Sequence, residues 1–245
     1  MILVRNLITY VVGVISLFVF ANTAIADGFT LQLDEQTISY TLPEGYCLLD
    51  PANNPKDKVI WDEANLNGNG RKTVFRYGLM DCESLKEMRT GSEEANFILV
   101  ALAVSTTDGS TYRKLPEGAS NGWFFNKVRP RINKGIEVDE EANSYDRINT
   151  ALSRMEKPDT EDAALPMGVF EESEEAIYAG IYSPVVSGGE TETLASIMSF
   201  FPADRHILVF VVSQRFEGIA SYMEALKTSK QFTRGLLRQN GLLAE

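Results

Sequence analysis

His206 is the only imidazole in the chain, so any Ser-His-Asp relay would have to be built around it. It follows Asp204 and Arg205 at the start of an apolar run, and no G-x-S-x-G sequence occurs. That setting predicts a solvated histidine at the beginning of a strand. Consecutive carboxylates offer a second chemistry. Asp139-Glu140-Glu141 and the run Glu171-Glu172-Ser173-Glu174-Glu175 could supply the paired acid and base of a glycosidase. Carboxylates bunched at a helix start or a hairpin turn are, however, commonly solvated, and at a helix start they complement the dipole. A third chemistry is anion binding. Lys127, Arg129, Arg131 and Lys134 follow Trp123 and Phe124 and make the one local basic group, a candidate patch for an anionic ligand or a lipid headgroup. No residue earns a catalytic assignment from these patterns.

Two motif echoes fail on spacing. The stretch Asn65 to Gly70 invites a calcium-loop reading, but position 12 falls on Val74 or Arg76 where a carboxylate is required. Gly70-Arg71-Lys72-Thr73 lacks Gly before Lys72, carries Leu66 where the first loop glycine belongs, and precedes a strand pattern, not a helix. One histidine excludes a two-His zinc site, and two cysteines exclude four-Cys zinc and iron–sulfur centres. No metal or cofactor is expected. With 23 Lys+Arg against 34 Asp+Glu, the net charge of −11 argues against nucleic acid as a partner.

The amino terminus points to export. Arg5 is a short positive region, Leu7 to Phe20 is uncharged and apolar, and Ala24-Ile25-Ala26 is an A-x-A cleavage pattern followed by Asp27. Residues 1–26 are therefore expected to be a signal peptide, with 27–245 a single domain. The alternative is an uncleaved anchor, because Leu7 to Ala26 is just long enough to span a bilayer; a membrane contact is expected only in that case. In an oxidising compartment the pair Cys47 and Cys82 is expected to form a disulfide. Neither cysteine has a CxxC or a His/Asn relay to support a reactive role.

The elements that must position these residues follow from periodicity. Alternating Phe29, Leu31, Leu33 and Ile38, Tyr40, Leu42 read as a hairpin around Asp34-Glu35-Gln36, and Tyr46 to Leu49 as its continuation. Asn54-Pro55 caps a short helix with an apolar face at Val59, Ile60, Ala64 and Leu66. Val74 to Met80 is a strand, Cys82 to Met88 a helical turn or irregular, and Phe97 to Val104 a strand buried on both faces. A helix from Ser120 is limited by Pro130, and Val138 to Met155 is a second helix. Gly168 to Phe170 and Ala176 to Tyr182 flank the acidic turn. Leu194 to Phe201 and His206 to Ser213 form a hairpin whose loop, Pro202 to Arg205, places Pro as a type I turn prefers. Phe216 to Gln239 is a closing helix, bent at Gly235 and capped by Asn240-Gly241. The fold class is α+β: an antiparallel sheet with helices packed over it and a long C-terminal helix.

The early hairpin TLQLDEQTISYTLPEGY, the run AGIYSPVV, the hairpin SIMSFFPADRHILVFVVS and the closing helix, in that order, resemble small exported PsbP-like α/β/α sandwich proteins. The Cys pair and the insert from Thr107 to Pro166 lie outside that layout. The resemblance implies an accessory or binding role and carries no functional residue onto this chain. The expectation is a periplasmic or secreted, non-enzymatic binding or accessory protein of the bacterial envelope, whose partner is an envelope protein or small ligand. The alternatives are a carboxylate-based hydrolase, and a membrane-tethered assembly factor if residues 1–26 are retained.

Overall fold

A computed structural model describes residues 28–67, 73–91, 98–107, 111–154, 164–187 and 190–243. The expected signal segment, residues 1–26, lies outside them, as do Gly68 to Lys72 of the two failed motifs. Strands β1 (Gly28–Leu33) and β2 (Gln36–Thr41) form a two-stranded sheet. The other seven strands are β3 (Tyr46–Leu48), β4 (Thr73–Asp81), β5 (Ile98–Ser105), β6 (Leu165–Glu172), β7 (Ile177–Ser187), β8 (Glu190–Ala203) and β9 (His206–Arg215). They form one sheet in the order β3-β4-β5-β9-β8-β7-β6, antiparallel throughout. The helices are α1 (Pro55–Asn67), α2 (Cys82–Thr90), α3 (Asn121–Ile132), α4 (Ser144–Arg154) and α5 (Ile219–Gln239). The α+β class, with its long closing helix, is what the structure shows.

The sheet is covered on both faces. One face carries the main core, in which Leu102, Phe210 and Ile197 meet Ile148 of α4, Tyr222, Phe232 and Leu236 of α5, and Phe29, Leu31 and Tyr40 of the β1–β2 hairpin. On the other face Phe124 and Phe125 of α3 pack on Val169, Ile177 and Ile207, while Leu49, Met80 and Leu85 cluster near the disulfide. Central strand β5 is buried on both sides from Val100 to Val104, which its unbroken apolarity requires. The connection from β5 to the far-edge strand β6 carries α3 and α4, one to each face.

Several expectations need correcting. Tyr46 to Leu48 pairs with β4 in the large sheet, not with the early hairpin. Val59 is 59% exposed, so it is not part of an apolar face. The segment Cys82–Thr90 is a full helix, because Asp81 accepts the Ser84 N–H at 2.8 Å and Gly91 at φ 99° closes the other end. Helix α3 passes through Pro130 and stops two residues later, so the proline removes only a bond of the last turn. The second central helix begins at Ser144, not Val138. Asn143 accepts the Asp146 N–H at 3.0 Å and Asp139 that of Glu141 at 2.9 Å, so short polar side chains hold 138–143 as a loop. Pro202 and Ala203 pair with Ile207 and His206 inside the β8–β9 ladder, leaving Asp204-Arg205 as a two-residue loop with Asp204 at φ 54°. Asp34, in the matching place of the β1–β2 loop, has φ 52°. Both loops obey the two-residue hairpin rule and use Asp where glycine is usual. Helix α5 runs unbroken through Gly235, where a Cβ would stand 2.9 Å from the Tyr40 hydroxyl, so the glycine admits the hairpin.

Candidate functional site

The loop before α4 stays outside the helix, and so opens a cleft of about 820 Å³ between itself, α4 and edge strand β6. Its rim carries Glu137, Asp139, Glu141 and Asp146 with Arg147 and Arg154; its floor is Met167, Val169 and Phe170. Arg147 and Arg154 are seven residues apart on α4, two turns along one face. Arg147 donates to the Asp139 and Glu140 carbonyls at 3.0 and 2.6 Å, and Arg154 to the Glu137 carbonyl at 2.5 Å. The two arginines thus clamp the loop backbone, while the carboxylates outnumber them at the rim. The volume lies within the range of small-molecule sites. Of the carboxylate runs read from the sequence, only the first borders this cleft.

Three carboxylates of the second run are held in ion pairs. Glu171 pairs with Lys230 of α5 at 2.5 Å and accepts from Ser144 at 2.9 Å. Glu172 holds Arg129 in a bidentate pair at 2.5 and 2.8 Å, and Glu175 lies 3.8 Å from Arg234. The acidic turn joins α3, α4 and α5 to the sheet edge. Glu172 also keeps the Arg129 guanidinium firmly charged. The candidate basic patch is thereby divided: Arg129 turns to Glu172, while Lys127, Arg131 and Lys134 are exposed.

His206 is not solvated; it is 4% exposed. Its Nδ1 is 2.8 Å from Gln36 Oε1 and its Nε2 is 3.2 Å from Asp34 Oδ2. Lys114 pairs with the same Asp34 oxygen at 2.5 Å, and Tyr112 meets the imidazole edge-on with centroids 6.0 Å apart. Lys114 first, and His206 with it, hold the Asp34 carboxyl below the usual carboxylate range. Both ring nitrogens are engaged, so neither can act as a base without breaking a contact. Gln36 is 170 residues away in sequence, and no periodic signal links the two.

Cys47 and Cys82 are joined across β3 and the start of α2, with Cα atoms 5.0 Å apart. Beside them Asp57, fully buried, accepts from the Asp50 N–H at 2.7 Å and from Arg89 at 2.9 and 2.5 Å. Burial alone would raise its pKa; the Arg89 and backbone donors win and hold it below the usual value. This clasp ties α1 to α2. It was invisible in sequence beyond the placing of Asp57 in a first helical turn.

No protein-family model matches the chain, and no curated protein matches it. Among solved structures it is similar to LpqN of Mycobacterium tuberculosis, described as involved in cell envelope biogenesis. The two are 9% identical over 84% of this chain and 88% of that one, with a TM-score of 0.30. No functional argument follows from a likeness of that size.

Proposed function

We propose that the chain is an exported binding or accessory protein of the bacterial envelope, periplasmic or secreted, and that it takes a small ligand in the cleft beside α4. The cleft carries this reading. It combines a concave site of ligand size, an apolar floor and a rim on which carboxylates outnumber arginines already committed to backbone carbonyls. Those features suit an amphipathic cation, with its apolar body on Met167 and Phe170 and its charge toward Asp139, Glu141 and Asp146. The disulfide supports an oxidising compartment, and the PsbP-like layout read from the sequence supports an accessory role. The acidic turn and His206 serve as structural contacts, which favours binding over catalysis.

Calorimetric titration with hydrophobic amines and with matched hydrophobic carboxylates tests the assignment. Amines should bind and carboxylates should not, and the double variant Glu141→Gln/Asp146→Asn should weaken amine binding at least tenfold. Equal binding of both classes would overturn this reading, and turnover of a glycoside that the double variant abolishes would replace it by the hydrolase.

A further inference from the structure

The outward face of α3 plays no part in that cleft. Trp123, Lys127, Arg131 and Lys134 are spaced by four, four and three residues, which at 3.6 residues per turn places them on one stripe that continues just past the helix end. All four are exposed, Trp123 by 43%, as is Pro130 between them. The inward face, Phe124, Phe125, Val128 and Ile132, is packed on the sheet. Lys127 lies over the Trp123 ring at 5.9 Å. The helix contains no acidic residue. Its one cation with a carboxylate partner is Arg129, off the stripe; among the described residues Arg131 and Lys134 make no ion pair. Of the carboxylates around the helix, Glu174, whose carbonyl accepts from Asn121 at 3.1 Å, stands at the N-terminal end, and Glu172 and Glu140 act on Arg129, off the stripe. On a chain of net charge −11, a cationic stripe with no carboxylate partner among the described residues, flanking an exposed indole, is a local inversion of charge.

We infer that this face of α3 is a docking surface for an anionic lipid bilayer, on which the protein rests peripherally. The complementarity is twofold. Lys127, Arg131 and Lys134 meet phosphate headgroups, each favouring the surface, and Trp123 inserts at the headgroup level, where an amphipathic indole is most at home. At physiological salt the screening length is about 8 Å, so the charges in contact with the surface count most, and those on the stripe are cationic. The contact requires no membrane-spanning segment, and among the described residues no helix is long and apolar enough to be one.

The test uses protein purified from the envelope, in a Trp61→Phe background that leaves Trp123 as the sole indole. It is mixed with vesicles of phosphatidylcholine alone or of phosphatidylcholine with phosphatidylglycerol. Expected are sedimentation with the anionic vesicles only, a blue shift of Trp123 emission on binding, and release by salt. Lys127→Gln, Arg131→Gln and Lys134→Gln should each weaken binding about fivefold with unchanged melting temperature, and Trp123→Ala should weaken it further. Binding indifferent to phosphatidylglycerol, binding retained by the triple glutamine variant, or no binding at low salt would overturn the inference. So would equally tight binding to a soluble poly-glutamate, which would reassign the stripe to an acidic protein partner.

Discussion

Asp57 is the side chain on which the disulfide-side helices depend. It is fully buried, and Arg89 and the Asp50 N–H are its donors. Asp57→Ala should cost about 3 kcal/mol in chemical denaturation at neutral pH, because it breaks a buried charged pair. The sign of the pH effect follows from the lowered carboxyl. The stabilisation is fully present above the unfolded value of about 3.9 and is lost as pH falls through the folded one. The wild type should therefore lose more stability than Asp57→Ala between about pH 5 and about pH 2, and equal losses would refute this account. At Gly180 an added Cβ would fall on the Phe170 ring, so Gly180→Ala should cost about 1–3 kcal/mol, measured the same way. At this scale the sequence was uneven. The cap at Asn54 was legible because its rule is local, and Lys56 N–H does bond Asn54 Oδ1 at 3.0 Å. His206 was misread because its partners come from a hairpin distant in sequence.

At the scale of elements, alternation was a reliable guide wherever one sheet face is buried: Phe29, Leu31 and Leu33 are buried and Thr30 and Gln32 exposed, as their types require. Periodicity failed for α4, where Val138 and Ala142 continue a helical pattern but line the cleft from a loop. The cleft was illegible for that reason, since it exists only because the helix starts late. The β1–β2 hairpin is held at its loop by His206 and Lys114. Along its free edge, the Gln239 and Asn240 amides each bond both backbone groups, of Thr41 and Ser39 respectively, at 2.7–3.0 Å. These side chains occupy the place of a third strand and close the edge to other chains. Gln239→Ala/Asn240→Ala should speed amide exchange at Ser39 and Thr41 while β8 and β9 stay protected; His206→Ala should do the same from the loop end. The β8–β9 hairpin with α5 should contain the slowest-exchanging amides, since these elements are neighbours in sequence and share the main core.

For the whole molecule, the disulfide encloses a span of 35 residues, and reduction should lower stability by about 2–4 kcal/mol without unfolding a core of this size. Intact mass in native and reduced forms reads both the bridge and removal of residues 1–26; free thiols would contradict the bridge, and a retained Met1 would move the protein to the membrane-anchored alternative. If the chain is exported as proposed, the docking of α5 on β2 has a further meaning. The groups that complete the first hairpin lie 198 and 201 residues downstream of it. During synthesis, and during the proposed export amino end first, β1 and β2 would stand without their partner, and the native arrangement can close only after α5 has followed. Long-range closure of this kind is slow. The architecture thus postpones its own completion, leaving the chain threadable until its last helix is made.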